Sequence, residues 1–537
     1  MAIGDTPYTH IAHTAADTQS DVDATGCMAS LSNLVPNPTT MNQWVPRPAA
    51  VVLPSTAATT PGVVSSMTVH GSRVYGLLSS GSPARDIPFA YDLISKAYVA
   101  ISGIATGNTP LSQPTAGDWV PPTSDMIGTK VMFTHPNFAG ISTFIGWIDT
   151  TNPAALTWNV GNTATNALPA VPSFVKQFNN RATYVVNLPS GAATYSSNSL
   201  DPLTITNPFI ITYGDTTPIV ALEVLGLSNL LGGITHALLV FKANNIYQVT
   251  GDFSASPPYV GSILSNSLNI ATGTAAPLSV TPTPRGVAFM SPQGIRIIDW
   301  QAKISPPLGT AGSGIAAPFI NALYPSRVVG ACTGLDLRYC VQNGGVNGQP
   351  VQDWVFDLTR NVWHGPHTFG YRMIVPYIST YIIAPIGTTG LWQSDTQPLL
   401  SSTYVENGSA MSWTYTTSLV PSANNTYLNA TVDTKAFFSL TSTTSSVSIT
   451  ATDQAGASLG QVTVSQALGT GMIWGTSSWG VASWGAANTS ISPHDVPWKT
   501  PLVFSELQIT ITGTSSQGII LGSIRATVTK LSYGVYT

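Results

Sequence analysis

A chain of 537 residues is longer than one hydrophobic core usually organises, so two or more structural units are expected. Only 8% of its residues are charged, against about 25% in soluble proteins generally, and its net charge of −4 excludes a protein that grips nucleic acid through clustered Lys and Arg. With 47 Gly and 40 Pro, long helices are excluded as well, and the predicted class is all-β with many turns.

Residues 1–60 carry little periodicity. Asp5, Asp17, Asp21 and Asp23 precede the first basic residue, Arg47, and prolines cluster from Pro36 to Pro54. This composition predicts an extended N-terminal arm laid across a neighbour or across the following domain. Its motif WVPRPAAVV (44–52) sets Arg47 between two prolines, close to Trp44, on a stiff extended backbone. The opening MAIGDTPYTH has neither the basic nor the apolar region of a signal peptide.

From 61 to 398 the pattern becomes one of repeated hairpins. Residues 69–78 and 86–101 supply a first group, 130–159 a second and 181–212 a third, with long loops at 105–128 and 189–202. The apolar span 219–241 has membrane length but contains Glu223, Asn229, His236 and Gly232-Gly233, and reads as two buried strands around a Gly turn. Further hairpins fall at 238–252, 287–299, 328–341 and 381–395, with a short helix expected at 315–323.

The stretch 351–369, VQDWVFDLTRNVWHGPHTF, carries the pattern most fully. Trp354, Phe356 and Leu358 alternate with period two, Asp357 closes the strand, and Trp363 opens the return strand. An Asp in that place bonds backbone N–H groups two residues on and fixes the turn. Asp92 with Tyr98 repeats the arrangement, and Asp149 with Trp158 repeats it around a longer turn. Units of four strands at such spacing predict a β-propeller of about six blades.

Residues 399–537 change character. Strands are expected at 436–440, 447–451, 461–465, 507–512 and 519–529, as a small β-sandwich-like domain. Within it Trp474, Trp479 and Trp484 recur every five residues, each followed by Gly. This spacing fits neither a strand nor a helix face. It reads either as a loop presenting indoles to a partner subunit or sugar, or as three rings plugging the domain's own core.

Catalytic patterns are missing from the sequence. Of eight histidines, His364 and His367 are close, but Gly365-Pro366 between them breaks the helix that a metal pair would need. There is no G-x-S-x-G elbow and no phosphate-binding Gly loop. The sparse carboxylates fall mostly at turns, as Asp92, Asp149, Asp299 and Asp357 do. No enzyme activity, metal or cofactor is therefore expected. Cys27, Cys332 and Cys340 form no CxxC, and a hairpin turning at 333–336 would part Cys332 and Cys340 by roughly 10 Å along the strands. Free thiols point to assembly in a reducing cytoplasm.

Five motifs taken in order, WVPRP (44–48), LLVFKANNIYQVTGD (238–252), SPQGIRIID (291–299), DLTRNVWHGPHTF (357–369) and the Trp-Gly repeat followed by PWKTPLVFSELQITITG (497–513), carry a resemblance. The chain resembles the tail nozzle, or hub, proteins of short-tailed bacteriophages, including the packaged-DNA stabilisation proteins. The resemblance implies a propeller subunit, around six copies in a ring at the distal end of the tail, joined to an adaptor ring above and to fibres or spikes beside. It also implies a conduit and plug for double-stranded DNA, without tight binding, and no catalysis or cofactor. A Lys/Arg-poor wall suits DNA that must slide. The loops 105–128 and 189–202 and the Trp-Gly loop are the candidate constrictions. Trp44, Arg47, Trp363, His364, His367, Trp474, Trp479 and Trp484 are the candidate partner or channel contacts. The main alternative is a receptor-binding tail protein whose Trp-Gly loop stacks on a glycan; a kelch-like glycan oxidase or hydrolase is a third reading.

Overall fold

The computed structural model describes residues 8–12, 28–36, 43–54, 62–114, 117–162, 168–205, 209–228, 234–251, 264–268, 271–308, 317–342, 351–359, 361–386, 389–394, 405–406, 409–417, 429–440, 444–453, 455–467, 492–498, 502–504, 507–514 and 519–530. The chain is all-β, with a β-propeller-like arrangement of small antiparallel sheets, and it divides into two units. One unit takes residues 52–353 and 369–393; the other takes 1–51, 354–368 and 394–537.

The larger unit is a succession of up-and-down sheets. The first is Val63–His70, Arg73–Ser80, Arg85–Asp92 and Ala97–Val99. The second runs from Thr123–Ile127 through Lys130–Thr134 and Ile145–Asp149 to Leu156–Gly161, with Ile101–Ser102 added in parallel at its edge. The third spans Phe174–Phe178 to Phe209–Thr212, and the fourth Ile219–Ser228 to Leu264–Ser267. The fifth holds Thr281–Thr283, Gly286–Ser291 and Gly294–Ile298. The sixth begins with the hairpin Val329–Cys332 and Asp336–Val341, and the seventh with Tyr371–Tyr377 and Thr380–Pro385. The span read as two strands rather than a membrane crossing is the hairpin Ile219–Ser228 and Ile234–Lys242. No helix among the described residues is long and apolar enough to cross a membrane.

Each sheet's first strand lies beside the first strand of the next, and Tyr371–Tyr377 of the seventh lies beside Val63–His70 of the first. One apolar cluster accordingly joins Val64, Met67 and Phe89 of the first sheet to Met373, Ile382 and Leu391 of the seventh. Leu53 N–H donates to Leu391 O at 2.8 Å, tying the chain entering the first sheet to the edge of the last. Apolar residues alternate toward both faces because each sheet is covered on both sides by its neighbours.

Strand ends are fixed as the sequence suggests. Asp92 Oδ1 accepts from Ile94 N, Asp149 Oδ1 from Thr151 N, Asp299 Oδ1 from Gln301 N and Asp357 Oδ1 from Thr359 N, at 2.8–2.9 Å. Each carboxylate thus supplies the acceptor that a tight turn leaves wanting. The expected helix is the single turn Ala317–Ile320. Cys332 and Cys340 are free and buried.

The second unit is two sheets over one core. One sheet orders Leu34–Pro36, Trp44–Pro46, Ile519–Lys530, Asn429–Leu440 and Ser492–Asp495, with Tyr8–Ala12 also on Ile519–Lys530. The other orders Met28–Ser32, Ser412–Thr417, Leu507–Thr514, Thr444–Asp453 and Ser458–Ala467. Leu34, Trp44, Phe438 and Leu521 of the first share a single cluster with Trp413, Tyr415, Ile449 and Ile511 of the second. The apolar face of each sheet is thereby closed against the other. Strand Gln352–Asp357 crosses the division between the units, and Trp354, Phe356 and Trp363 group with the chain ends.

Candidate functional site

Five of the eight candidate contact residues, Trp44, Arg47, Trp363, His364 and His367, come together in the second unit, all at most 5% exposed. Trp474, Trp479 and Trp484 lie outside the described residues. The first five are organised by a residue the sequence reading missed, Asn33, which sits between Met28–Ser32 and Leu34–Pro36 with φ 55°. Asn tolerates that left-handed conformation better than most residues. Its backbone carbonyl accepts from Arg47 N at 2.9 Å, and its side-chain Oδ1 accepts from Arg47 Nε at 2.9 Å and Thr368 N at 3.1 Å. Its Nδ2 donates to Thr368 Oγ1 at 2.8 Å and Ser412 O at 2.7 Å. One buried amide therefore joins the N-terminal strands, the turn after His367 and a strand of the opposite sheet.

Arg47 completes the node. Its two terminal nitrogens donate to Glu406 Oε1 and Oε2 at 2.9 and 2.8 Å, a bidentate pair with side chains only 4% and 14% exposed. Ala50 N also donates to Glu406 Oε1 at 3.2 Å. The flanking prolines hold the backbone extended, so the guanidinium points inward to a fixed partner.

Asn33 N–H donates to His367 Nδ1 at 3.0 Å, which assigns the ring proton of neutral His367 to Nε2. That Nε2–H faces His364 Nδ1 at 3.1 Å, so His364 accepts there. Trp44 meets His364 edge-on at 6.2 Å, and Trp363 packs on Phe356 at 5.0 Å. The pair is thus a hydrogen-bonded chain within a buried joint. No group of three or more metal-binding side chains occurs among the described residues.

The described residues of the larger unit hold other polar clusters. On the first strands of the second, third and fourth sheets, Lys176 Nζ lies 2.8 Å from Glu223 Oε1, and Asp125 Oδ2 accepts from Gln177 N at 2.8 Å. Burial works against the charge on Lys176, but Glu223 and then Asp125 outweigh it and hold the ammonium above its ordinary range. Asp86, fully buried, accepts from Ser65 Oγ at 2.7 Å, His135 Nε2 at 3.0 Å and Ser112 Oγ at 2.6 Å. Ser65 bonds the carboxylate rather than the imidazole, so the trio lacks the Ser–His contact that activates a nucleophile. Arg338 grips Asp353 at 2.6 Å, and Tyr371 O–H donates to the same carboxylate at 2.8 Å.

Of the candidate constriction loops, 105–128 leaves the first sheet and returns to the second by way of residues far along the chain. Trp119 Nε1 donates to Ser326 O at 2.8 Å, Arg327 stacks 5.0 Å over the Trp119 ring, and its guanidinium donates to Pro114 O at 3.0 Å and to Gly117 O. The loop 189–202 contains the strand Gly191–Ser196 and a turn held by Leu200 N–H to Asn180 O.

No family model matches the chain, and the search of curated proteins found no match. Among solved structures, the chain is similar to the computationally designed Ika8 protein at 9% identity, over 64% of this chain and 99% of that one, TM-score 0.33. It is similar to an exo-beta-1,3-galactanase of Phanerochaete chrysosporium at 10% identity, over 90% and 99%, TM-score 0.27. It is also similar to a GH32 beta-fructofuranosidase of Bombyx mori at 8% identity, over 90% and 94%, TM-score 0.28. The expectation that the chain is not an enzyme is corrected by this comparison, because the similar structures include several glycoside hydrolases. At these TM-scores the likeness assigns neither reaction nor substrate to this chain.

Proposed function

We propose that the chain is a structural virion protein of a short-tailed bacteriophage, a distal tail nozzle whose copies form a ring that conducts and retains packaged double-stranded DNA. The observation that carries this reading is the withdrawal of positive charge from the surface. Arg47, Arg181, Lys242, Arg327 and Arg338 are each at most 4% exposed and donate to oxygens of their own chain. Neutralising phosphates requires accessible cations, and each one removed lowers affinity and salt dependence together. A wall made of such subunits lets a duplex slide. The neutral, hydroxyl-rich composition supports packing among other copies, since few charges would be desolvated.

In this reading the seven sheets are the blades of a propeller, one more than the six expected from sequence, and the cycle of neighbouring first strands supports that count. Six copies, a tail adaptor above and fibres or spikes beside follow from the resemblance. The test is immunogold labelling of purified virions with antibody to this chain. Gold confined to the tip of a short tail is the expected result. Particles without label, or labelled only along fibres, overturn it.

A further inference from the structure

Within each up-and-down sheet, the turn from first to second strand and the turn from third to fourth lie at the same end. Contacts between sheets bring these ends together in the larger unit. Arg73, beside the first turn of the first sheet, donates to Pro153 O in the last turn of the second at 2.7 Å. Gly128, in the first turn of the second sheet, lies against Leu200 O in the last turn of the third. Tyr381 O–H, just past the first turn of the seventh sheet, donates to Asp336 O at that of the sixth at 2.6 Å. Phe178, Leu238 and Val249, all near these turns, share one cluster across the third and fourth sheets. Leu227 and Ala302 share another across the fourth and fifth.

The five most exposed large apolar side chains among the described residues all stand at this one end. They are Ile378 at 84%, Ile94 at 77%, Leu335 at 65%, Leu200 at 62% and Leu264 at 59%. Trp300, 39% exposed, joins them. Each comes from a different sheet: the first, third, fourth, fifth, sixth and seventh. Single exposed aliphatics are ordinary, but six at one end, one per sheet, are a patterned surface.

Backbone conformation adds a second argument. Ile378 has φ 54° and Leu200 φ 60°. Gly or Asn holds the left-handed region at least cost, and a β-branched residue there is an outlier. Two apolar side chains are therefore kept where the backbone alone would favour their loss.

We propose that this rim of turn tips is an interface with a second copy of the chain. Six apolar tips exposing about 100 Å² apiece supply the larger part, about 600 Å², of the ~800 Å² per partner of a standard stable interface, and the polar turn residues between them supply the rim. Charge also permits it: the turns at this end carry Arg73, Lys96, Lys130, Arg285 and Lys303 beside Asp92, Asp149, Asp201, Asp299 and Asp336, so like copies do not repel through one dominant sign. This deepens the virion reading, in which copies pack together, by naming the contacting surface; it is tested without virions, so its failure and that of the virion reading are distinguishable.

The experiment is sedimentation velocity of the full chain from low to high micromolar concentration. The variants are a triple rim change, Ile94→Lys with Leu335→Lys and Ile378→Lys, and a control pair away from the rim, Ile320→Lys with Val503→Lys. The wild type and the control are expected to self-associate with the same constant. The triple variant is expected to associate at least tenfold more weakly, with unchanged circular dichroism and Tm. A wild type that stays monomeric throughout overturns the proposal. So does a triple variant that associates like the wild type, or a control pair that abolishes association equally.

Discussion

The two units reach their cores by different routes along the chain. In the larger one most strands pair with the next, hairpin after hairpin, with longer returns where Ile101–Ser102 joins the second sheet, where the loop at Trp119 meets Ser326, and where the seventh sheet closes on the first. In the sandwich, strands from 8–46 and 412–417 lie beside strands from 429–530, so its pairings close very long loops. Loop closure must be met before such contacts reward it. The sandwich accordingly carries a dense polar fastening at Asn33, Arg47 and Glu406, while the larger unit adds buried clusters at Asp86 and Asp353 to the polar contacts of its many turns. The lesson is that segments far apart in sequence are joined here by directional bonds as well as by apolar burial.

The largest expected effects come from breaking one buried ion pair in each unit. Glu406→Ala leaves Arg47 buried without its carboxylate, and Asp353→Ala does the same to Arg338. Each should cost about 3–5 kcal/mol. Urea unfolding with hydrogen exchange read by mass spectrometry should place the first loss in the sandwich segments and the second in the larger unit. Equal loss of protection in both units from either change would remove the contrast.

Asn33→Ala comes next. It removes several buried hydrogen bonds and puts a Cβ-bearing residue without a helpful side chain at φ 55°. About 2–3 kcal/mol is expected from bonds worth roughly 1 kcal/mol each plus the backbone term. Asn33→Gly should restore only the backbone part, and comparing the two by denaturant midpoint separates them.

Asp149→Ala tests the other fastening style. It removes the acceptor for Thr151 and should cost about 1 kcal/mol, local to the second sheet. The Thr151 hydroxyl, its N–H and the Lys130 charge outweigh burial and hold the Asp149 carboxyl below its ordinary range. A lowered pKa stabilises the fold above the unfolded value, and that contribution is lost as pH falls through the folded one. The difference between wild type and variant should therefore shrink below about pH 4, as read by Tm against pH.

How much was legible follows the same contrast. The hairpin expected at 351–369 is Gln352–Asp357 and Val362–His367, with its Asp turn as expected, because period two and turn chemistry are local signals. In the fifth sheet the hairpin expected at 287–299 is Gly286–Ser291 and Gly294–Ile298, but its first strand, Thr281–Thr283, is three residues with a central Pro and offers no periodicity. At the node, Arg47, Trp44, His364 and His367 stood out by type and neighbours. Asn33 and Glu406 did not, since their importance arises from partners more than 300 residues away in the chain. One signal was available: Glu406 is the only carboxylate between Asp395 and Asp433, and Arg47 is the first basic residue. A lone acid in an uncharged stretch has a reason to meet a lone base.

The smallest effect expected is a nearly silent one, and it separates the units most cleanly. Cys332 and Cys340 both belong to the larger unit, and burial is the main cause raising both thiols, Cys332 to about 11. A raised thiol pKa means that the fold favours the protonated form. That contribution is whole below the unfolded value and is lost as pH rises toward 11. At neutral pH little thiolate is present and both residues are buried, so alkylation of these two residues should run at least ~100-fold slower in the native chain than in urea. Labelling, followed by peptide mass spectrometry, then reports opening of the seven-sheet unit. Glu406→Ala should leave the labelling rate unchanged while it loosens the sandwich, and Asp353→Ala should raise it. If Glu406→Ala accelerates labelling as much as Asp353→Ala does, the node at Asn33 fastens the whole chain, and the two routes to a core are one cooperative structure.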